Sequence, residues 1–315
     1  MFGIASRGLK EGASVFLVLA KIIFPVTVII TILQYTPVLP FFIELIAPFM
    51  HVLGLSGEAA MPLVLGNALG LYAGIGAIIS FDFTVKEVFI MAMMLSFSHN
   101  IFVESAVASR VGVSWWLVSL IRIVLAILSA LIINLVWDGG AEIAQYGFLA
   151  SSELVLHSWG AIVLHGFKTA LMAIVQISLI IFPLMIMMQF LRELGFLHKI
   201  SKLFAPFTKM LGMKENTSFT LVAGMIVGLS MGAGVMIQAV KEDGVSKKDT
   251  ILALIFLVSC HAVIEDTVVF IPLGIPVWPL LFIRFLTAVV LTVIVAVVWN
   301  RMEKTQKGRK LKYEH

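Results

Sequence analysis

The chain has 315 residues, of which 60% are hydrophobic and only 13% are charged, and its mean hydropathy is +1.07. A soluble protein of this length could not bury so much apolar surface, so the composition indicates a polytopic membrane protein. The net charge of +4 includes a basic tail, residues 301–315, which is typical of a membrane flank and not of nucleic-acid binding. The single cysteine, Cys260, excludes an internal disulfide and a multi-cysteine metal site.

The predicted elements occur in the same order twice along the chain. A helix with a Phe-Pro step comes first, followed by an amphipathic stretch at the membrane interface, a glycine-interrupted segment and two spanning helices. In the first half these are residues 13–35, LPFFIELIAPFMHVL, MPLVLGNALGLYAGIGAIIS, 87–109 and 113–137. In the second half they are residues 168–191, FLHKISKLFAPFTKML, TSFTLVAGMIVGLSMGAGVMIQ, 250–272 and 277–299.

This order reflects an internal duplication. The two halves align at an offset of 158 residues, which becomes 162 after a four-residue insertion near KEDGVSKK. Chance similarity between apolar helices does not align glycine, proline, histidine, acid and arginine together. The matched pairs are Phe24-Pro25 with Phe182-Pro183, Gly66 with Gly224, Gly70 with Gly228, Gly74 with Gly232, Gly76 with Gly234, His99 with His261, Glu104 with Asp266, and Arg122 with Arg284.

The distribution of basic residues decides how the copies are oriented. If each glycine-rich segment is a re-entrant hairpin, the lysine-rich loop 192–214 and the basic tail share one side, and the acidic stretch 138–163 faces the other. Four spans per copy would instead place the acidic stretch in the cytoplasm. We therefore predict an all-α polytopic membrane protein of two inverted-topology repeats, each with three transmembrane helices, an interfacial amphipathic helix and a re-entrant glycine-rich hairpin.

The predicted domain boundaries follow from this topology. They are a first repeat at 1–137, an extracytoplasmic linker at 138–166, a second repeat at 167–300 and a basic cytoplasmic tail at 301–315. Both termini are predicted to be cytoplasmic, in a prokaryotic plasma membrane.

Ionisable residues near the bilayer centre are costly and tend to be functional. His99 and His261 are predicted to lie at mid-depth, followed by Glu104 in the first copy and by Glu265 and Asp266 in the second. Three interpretations stay open. These residues carry protons and bind a solute; they bind a cation, with Cys260 as a soft ligand and the metal unknown; or the acids neutralise arginines, Arg122 and Arg284. Glu265 aligns with Val103 and so has no acidic counterpart, which makes a proton-linked role one option.

The glycine clusters predict hairpin turns, although glycines also allow close helix packing. The second half-helix of each hairpin would point its N-terminus at a cavity, which suits a carboxylate, a phosphate or a carbonyl oxygen. Asn67, Tyr72 and Ser230 are predicted to lie at or near the tips.

The stretch GLSMGAGVMIQAVKEDG followed by LVSCHAVIEDT resembles the nucleoside-recognition, or gate, domain family. That family includes gate regions of ferrous-iron permeases, concentrative nucleoside transporters and spore-maturation membrane proteins. The resemblance covers both halves and implies a solute site formed by a hairpin tip and a partly unwound helix from each repeat. By position these are residues 70–76 with 98–100, and residues 228–234 with 259–261. The chain lacks the GTPase domain and the Gly-Cys-x-x-Pro and Cys-x-x-Arg-x-Pro signatures of the iron permease, so it is similar to a stand-alone gate protein.

The predicted function is a secondary transporter for a small polar solute, such as a nucleoside-like or anionic metabolite, driven by an ion gradient. A divalent-metal permease and a non-transporting assembly partner are the alternatives. No enzyme activity, cofactor or nucleic-acid partner is expected; the partners are the lipid bilayer and the solute or ion, and homo-oligomerisation is left open. The predicted solute- or ion-binding residues are Asn67, Tyr72, Ser98, His99, Asn100, Glu104, Ser230, Ser259, Cys260, His261, Glu265 and Asp266. The predicted hairpin glycines are Gly70, Gly74, Gly76, Gly228, Gly232 and Gly234.

Overall fold

A computed structural model describes residues 2–147, 158–229, 234 and 244–313. Apart from a single bridge between Thr84 and Ile143, these residues form helices, turns and loops. The helices are α1 (Phe2–Gln34), α2 (Val38–Val52), α3 (Ala60–Leu69), α4 (Leu71–Ile78), α5 (Val85–Ser98), α6 (Ile101–Arg110), α7 (Trp115–Val136), α8 (Trp159–Glu193), α9 (Phe196–Met210), α10 (Ser218–Val227), α11 (Lys247–Ser259), α12 (Glu265–Val268) and α13 (Val277–Tyr313). The chain is therefore an all-helical, multi-pass membrane protein.

By length and composition, five helices within the described residues could cross a membrane. They begin at Gly3, Val85, Trp115, Trp159 and Val277, and the second of them runs through α5 and α6 to Arg110. A sixth candidate arises if α2 and the segment Gly57–Leu69, which meet at a bend of 95°, are counted as one span. The expected span at 250–272 is not one continuous helix, because α11 ends at Ser259 and only the short α12 follows.

The chain divides into two compact units that do not coincide with the two repeats. Unit 1 contains Met1–Val103, Ser119–Leu194 and Ile264–Leu281, and unit 2 contains Glu104–Val118, Gly195–Val263 and Phe282–His315. Residues 104–118 follow the start of α6 in the first repeat. Residues 264–281 are the segment of the second repeat that aligns with them. Unit 1 therefore contains α8 and residues 264–281 of the second repeat, and unit 2 contains residues 104–118 of the first.

In unit 1, α1 packs along α8. Small residues allow close approach between membrane helices. A β-carbon on Gly8 would lie 2.7 Å from the Ile186 Cα, and one on Gly12 would lie 3.0 Å from the Phe182 ring. The two glycines therefore fix how closely α1 approaches α8.

The residues after α7 return over the start of α5, also within unit 1. The Val85 N–H donates to the Glu142 carbonyl, and the Ala144 N–H donates to the Phe83 carbonyl, each at 2.9 Å. The Phe83 N–H donates to the Tyr146 hydroxyl oxygen at 3.3 Å. Burial raises the pKa of the Tyr146 hydroxyl, so it remains a neutral partner in this contact.

In unit 2, α9 packs on α10, and an aromatic cluster joins α9 to α11 and α13. The ring centroids of Phe207, Phe256 and Phe285 lie 5.6–6.0 Å apart. Along α9, Leu203 is 78% exposed and Lys209 is exposed as well. This combination of apolar and basic exposure is typical of a helix at the membrane interface.

Equivalent positions in the two copies adopt the same local geometry. A 3₁₀ turn precedes both α3 and α10. Gly54 and Gly212 both have positive φ, at 76° and 84°. A β-carbon on Gly54 would meet Asn134, and one on Gly212 would meet Ala296, which aligns with Asn134. The duplication therefore extends to backbone conformation, and the inversion of the copies stays a prediction.

Candidate functional site

The first hairpin of unit 1 consists of α3 and α4, which pack against each other. The chain reverses at Gly70, whose φ of 115° and ψ of 167° are accessible only to glycine. A β-carbon on Gly74 would lie 3.1 Å from the Gly66 Cα and 3.1 Å from the Pro62 carbonyl oxygen. A turn glycine and a pair of packing glycines thus bring the two short helices together.

The helix after this hairpin is broken at the predicted histidine. α5 ends at Ser98, and Asn100 has a φ of 50° before α6 begins at Ile101. The Asn100 N–H, released by the break, donates to the Gly66 carbonyl at 2.9 Å. Backbone groups at membrane depth need internal partners, and the hairpin provides one.

Arg122 on α7 also contacts the backbone at this break, and its side chain is fully buried. Its Nε donates to the Phe97 carbonyl at 2.6 Å, and its Nη2 donates to the His99 carbonyl at 2.8 Å. These carbonyls lie where the helix is interrupted. A charged donor therefore stabilises the unwound backbone.

Unit 2 repeats this arrangement with the aligned residues. α10 ends before Gly228, which has a φ of 94° and a ψ of 167°. The Ala262 N–H approaches the Gly224 carbonyl at 3.4 Å, and Arg284 Nη2 donates to the His261 carbonyl at 2.9 Å. Ala262 has a φ of 41°, matching Asn100 in the first copy. Each copy therefore has a glycine with positive φ beside an interrupted helix, as the family resemblance implies, and the residues that would complete the second hairpin lie outside the described residues.

The two histidines occupy the same position in each copy and are buried. His99 Nδ1 lies 2.6 Å from the Leu95 carbonyl, and His261 Nδ1 lies 2.8 Å from the Leu257 carbonyl. Since a carbonyl can only accept, each Nδ1 carries the proton. In each ring Nε2 is then the atom that can exchange a proton.

In unit 2, His261 Nε2 lies 3.2 Å from Glu104 Oε1. A hydrogen bond here needs one proton, either on Nε2 beside an ionised carboxylate or on a neutral carboxyl group. In both cases the pair binds one more proton than a neutral imidazole beside a carboxylate. The contact therefore requires one proton between the two side chains.

We expect a double-mutant cycle on His261→Ala and Glu104→Ala to give a coupling free energy of roughly 1–3 kcal/mol, because both partners are buried. The thermal unfolding of the four proteins in detergent measures it. The exposed ion pair of Lys209 and Glu215, also in unit 2, is the matched control and should couple by less than about 1 kcal/mol. Equal coupling for both pairs would show that the buried contact contributes no more than an exposed one.

In unit 1, ligand atoms of His99 and Asp266 lie within 4.8 Å of each other. Asp266 aligns with Glu104, and His99 aligns with His261. Each histidine thus lies near the acid of the other repeat, at hydrogen-bond distance for His261 and within 4.8 Å for His99. The two pairs are related by the duplication.

Tyr72 and Glu265 form a further polar contact in unit 1. The Tyr72 hydroxyl donates to Glu265 Oε1 at 2.8 Å, and both residues are only partly buried. Tyr72 is the second residue of α4, so it lies at the hairpin tip as predicted.

The remaining predicted residues have local contacts or lie outside the described residues. Asn67, Ser98 and Ser259 donate to carbonyls of the preceding helical turn. Cys260 is buried where α11 ends. Ser230 and Gly232 lie outside the described residues, and Gly234 is within them.

The glycines of the hairpins differ in role. Gly70 and Gly228 make the turns, whereas a β-carbon on Gly76 would lie 3.0 Å from the Ile23 side chain of α1. Gly66 and Gly224, whose carbonyls accept from the broken helices, were not among the predicted site residues. Their alignment with each other in the duplicated sequence was the signal that could have found them.

The family model described as "Nucleoside recognition" matches residues 16–114 and 174–275, once in each half. This chain belongs to the Gate (nucleoside recognition) family. It is also 53% identical over 302 residues to the uncharacterized membrane protein YvoD of Bacillus subtilis (strain 168), which covers 96% of this chain and 97% of that protein. No solved structure matches this Gate-family protein.

Proposed function

We propose that this Gate-family membrane protein is a secondary transporter that moves a small polar solute by alternating access. The observation that carries the proposal is the crossed pairing of His261 with Glu104 and of His99 with Asp266. Buried histidines and carboxylates within membrane proteins are typical of ion pathways and proton relays. Because each pair combines both repeats, a change at one pair affects both copies.

The backbone around these pairs supports the same proposal. Broken helices and hairpins of duplicated halves are the elements from which many transporters build solute sites. In this chain a glycine carbonyl and a buried arginine form hydrogen bonds with the backbone at each break. These bonds stabilise the unwound backbone. We propose that one hairpin moves with its broken helix while the ion gradient supplies the energy.

The proposed topology is inverted, with both termini and α9 in the cytoplasm. Exposed lysines on α9 suit the anionic cytoplasmic leaflet. α2, the aligned helix, carries no lysine and exposes Phe41, Leu45 and Phe49 instead. This difference between matched helices is what the positive-inside rule expects of inverted copies.

A divalent-metal permease is the second candidate, because an imidazole nitrogen beside a carboxylate oxygen is a suitable pair of donors for a metal cargo. The two candidates predict different ligands. Nucleosides or other organic solutes should stabilise a secondary transporter of polar solutes, whereas only metal ions should stabilise a metal permease.

The test is a thermal-shift screen of nucleosides, carboxylates and divalent metals, followed by counterflow of the hits in proteoliposomes. We expect His99→Ala and His261→Ala each to reduce the flux at least about tenfold, as loss of a proton-transfer group typically does. His51→Ala, which removes an exposed histidine of α2, is the matched control and should retain wild-type flux. Flux that persists in the double variant His99→Ala/His261→Ala would overturn the assigned role.

A further inference from the structure

The contact between Tyr72 and Glu265 differs from the buried pairs in being only partly buried. His99 and Asp266 are buried in the same unit, whereas Tyr72 and Glu265 are only partly buried. The Tyr72 hydroxyl lies 2.8 Å from Glu265 Oε1. The Glu265 oxygen that accepts this hydrogen bond at the hairpin tip is therefore less completely enclosed than the buried pairs.

This contact is specific to one half of the duplicated chain. Tyr72 aligns with Ser230, and Glu265 aligns with Val103, so neither residue has a like counterpart. Gly228 nevertheless has nearly the same backbone angles as Gly70. The contact is therefore not needed to make the hairpin turn, which points to a role in recognition.

The electrostatic environment of the hairpin tip bears on the charge of the solute. Helix N-termini attract anions, and the N-terminus of α4 begins at Leu71, next to Tyr72. Side chains lean toward the N-terminus of their helix, so the carboxylate that Tyr72 holds lies on the tip side. Glu265 and Asp266 are adjacent in the chain, so two acidic residues occur together there. The protein's own acid thus takes the place that an anionic solute would need.

We propose that Glu265 is the specificity-determining residue of the solute site, accepting a hydrogen bond from a neutral or cationic solute and excluding anionic ones. The inference rests on the proposed transport function for the existence of a solute, and it narrows the substrate class. In the absence of solute, the Tyr72 hydroxyl donates to Glu265. When the solute binds, one of its hydroxyl or amino groups donates to Glu265 instead. The exchange retains one donor for the carboxylate, so no buried acceptor is left without a hydrogen bond.

Charge selection at the tip can be measured without knowing the solute. In a Cys260→Ala background, which removes the only native thiol, Ala68→Cys places a reporter on the exposed side of α3 near the tip. Cationic and anionic methanethiosulfonate reagents of equal size then compete for it. We expect the cationic reagent to react faster, and Glu265→Gln to lower the ratio of the two rates roughly tenfold, since a unit charge acts on the two reagents in opposite directions.

Controls separate this effect from altered folding. Glu142→Gln removes an exposed carboxylate of the linker and should leave the ratio unchanged. Tyr72→Phe keeps the charge and should leave the ratio at or above the wild-type value. A second reporter, Tyr72→Cys, lies closer to the carboxylate and should give a larger ratio. A ratio that Glu265→Gln does not change at either reporter would overturn the proposal.

The substrate class is tested with matched pairs of probes in thermal-shift assays. Uridine is compared with uridine 5′-monophosphate, and putrescine with succinate. We expect the uncharged or cationic member of a pair to stabilise the wild type and its anionic partner to do so only in Glu265→Gln. Stabilisation of the wild type by the anionic members, or by divalent metal ions alone, would overturn the inference. If the reagent ratio responds but no probe binds, the charge selection stands and the transport function loses its support.

Discussion

Replacing Arg122 with alanine is expected to destabilise the protein by about 3 kcal/mol or more, because two hydrogen bonds from a charged donor are each worth about 1.5–3 kcal/mol. The side chain is fully buried and donates to the Phe97 and His99 carbonyls. Its loss exposes the break between α5 and α6 to an apolar environment. The expected result is a marked fall in the melting temperature in detergent and in the yield of monodisperse protein.

Two further variants serve as controls for the effect of Arg122→Ala. Arg110→Ala removes an exposed arginine at the end of α6 and should melt within a degree or two of wild type. Arg122→Lys keeps the charge but cannot reproduce the forked geometry, so it should recover only part of the loss. If Arg122→Ala behaves like Arg110→Ala, the arginine does not support the broken helix. Arg284→Ala should repeat the large effect in the second copy.

Gly70→Ala is expected to strain the first hairpin by about 1–3 kcal/mol, because its backbone lies in a region that only glycine adopts readily. The residue has a φ of 115° and a ψ of 167° and no neighbours within 4 Å of an added β-carbon. The cost is thus conformational and not steric. We expect a lower melting temperature and weaker binding of any solute found in the screen.

Gly160→Ala is the matched control, because a β-carbon on this glycine also meets nothing within 4 Å and its φ is not positive. That substitution should be neutral or slightly stabilising, as alanine favours a helix over glycine. Gly228→Ala should reproduce the effect of Gly70→Ala, since its backbone has nearly the same angles. Equal melting temperatures for Gly70→Ala and Gly160→Ala would contradict the need for the glycine turn.

The duplicated pattern made the turn positions accessible from sequence. Gly70 and Gly228 align, as do His99 and His261, and polar residues at mid-depth stand out from an apolar chain. The break within 250–272 was harder to place, because the run LVSCHAVIEDT has no proline or glycine to mark it. The family resemblance implied an unwound helix at this point, which composition alone did not.

The partners of the buried residues could not be predicted. The sequence left open whether Arg122 pairs with an acid, and it did not indicate that Arg122 donates to main-chain carbonyls, which become available where the helix breaks. His261 and Glu104 lie 157 positions apart, and Tyr72 and Glu265 lie 193 apart. Helical periodicity carries no information about such distant contacts, since it describes one element at a time.

The distribution of each unit over distant parts of the chain affects how the protein folds during synthesis. Unit 1 requires residues 264–281, and unit 2 requires residues up to the C-terminal helix as well as 104–118. Domains usually fold as they leave the ribosome, N-terminal part first. Here unit 1 cannot be completed until nearly nine-tenths of the polypeptide has been translated. The nascent protein therefore acquires its two histidine–acid pairs late, during the insertion of its last helices.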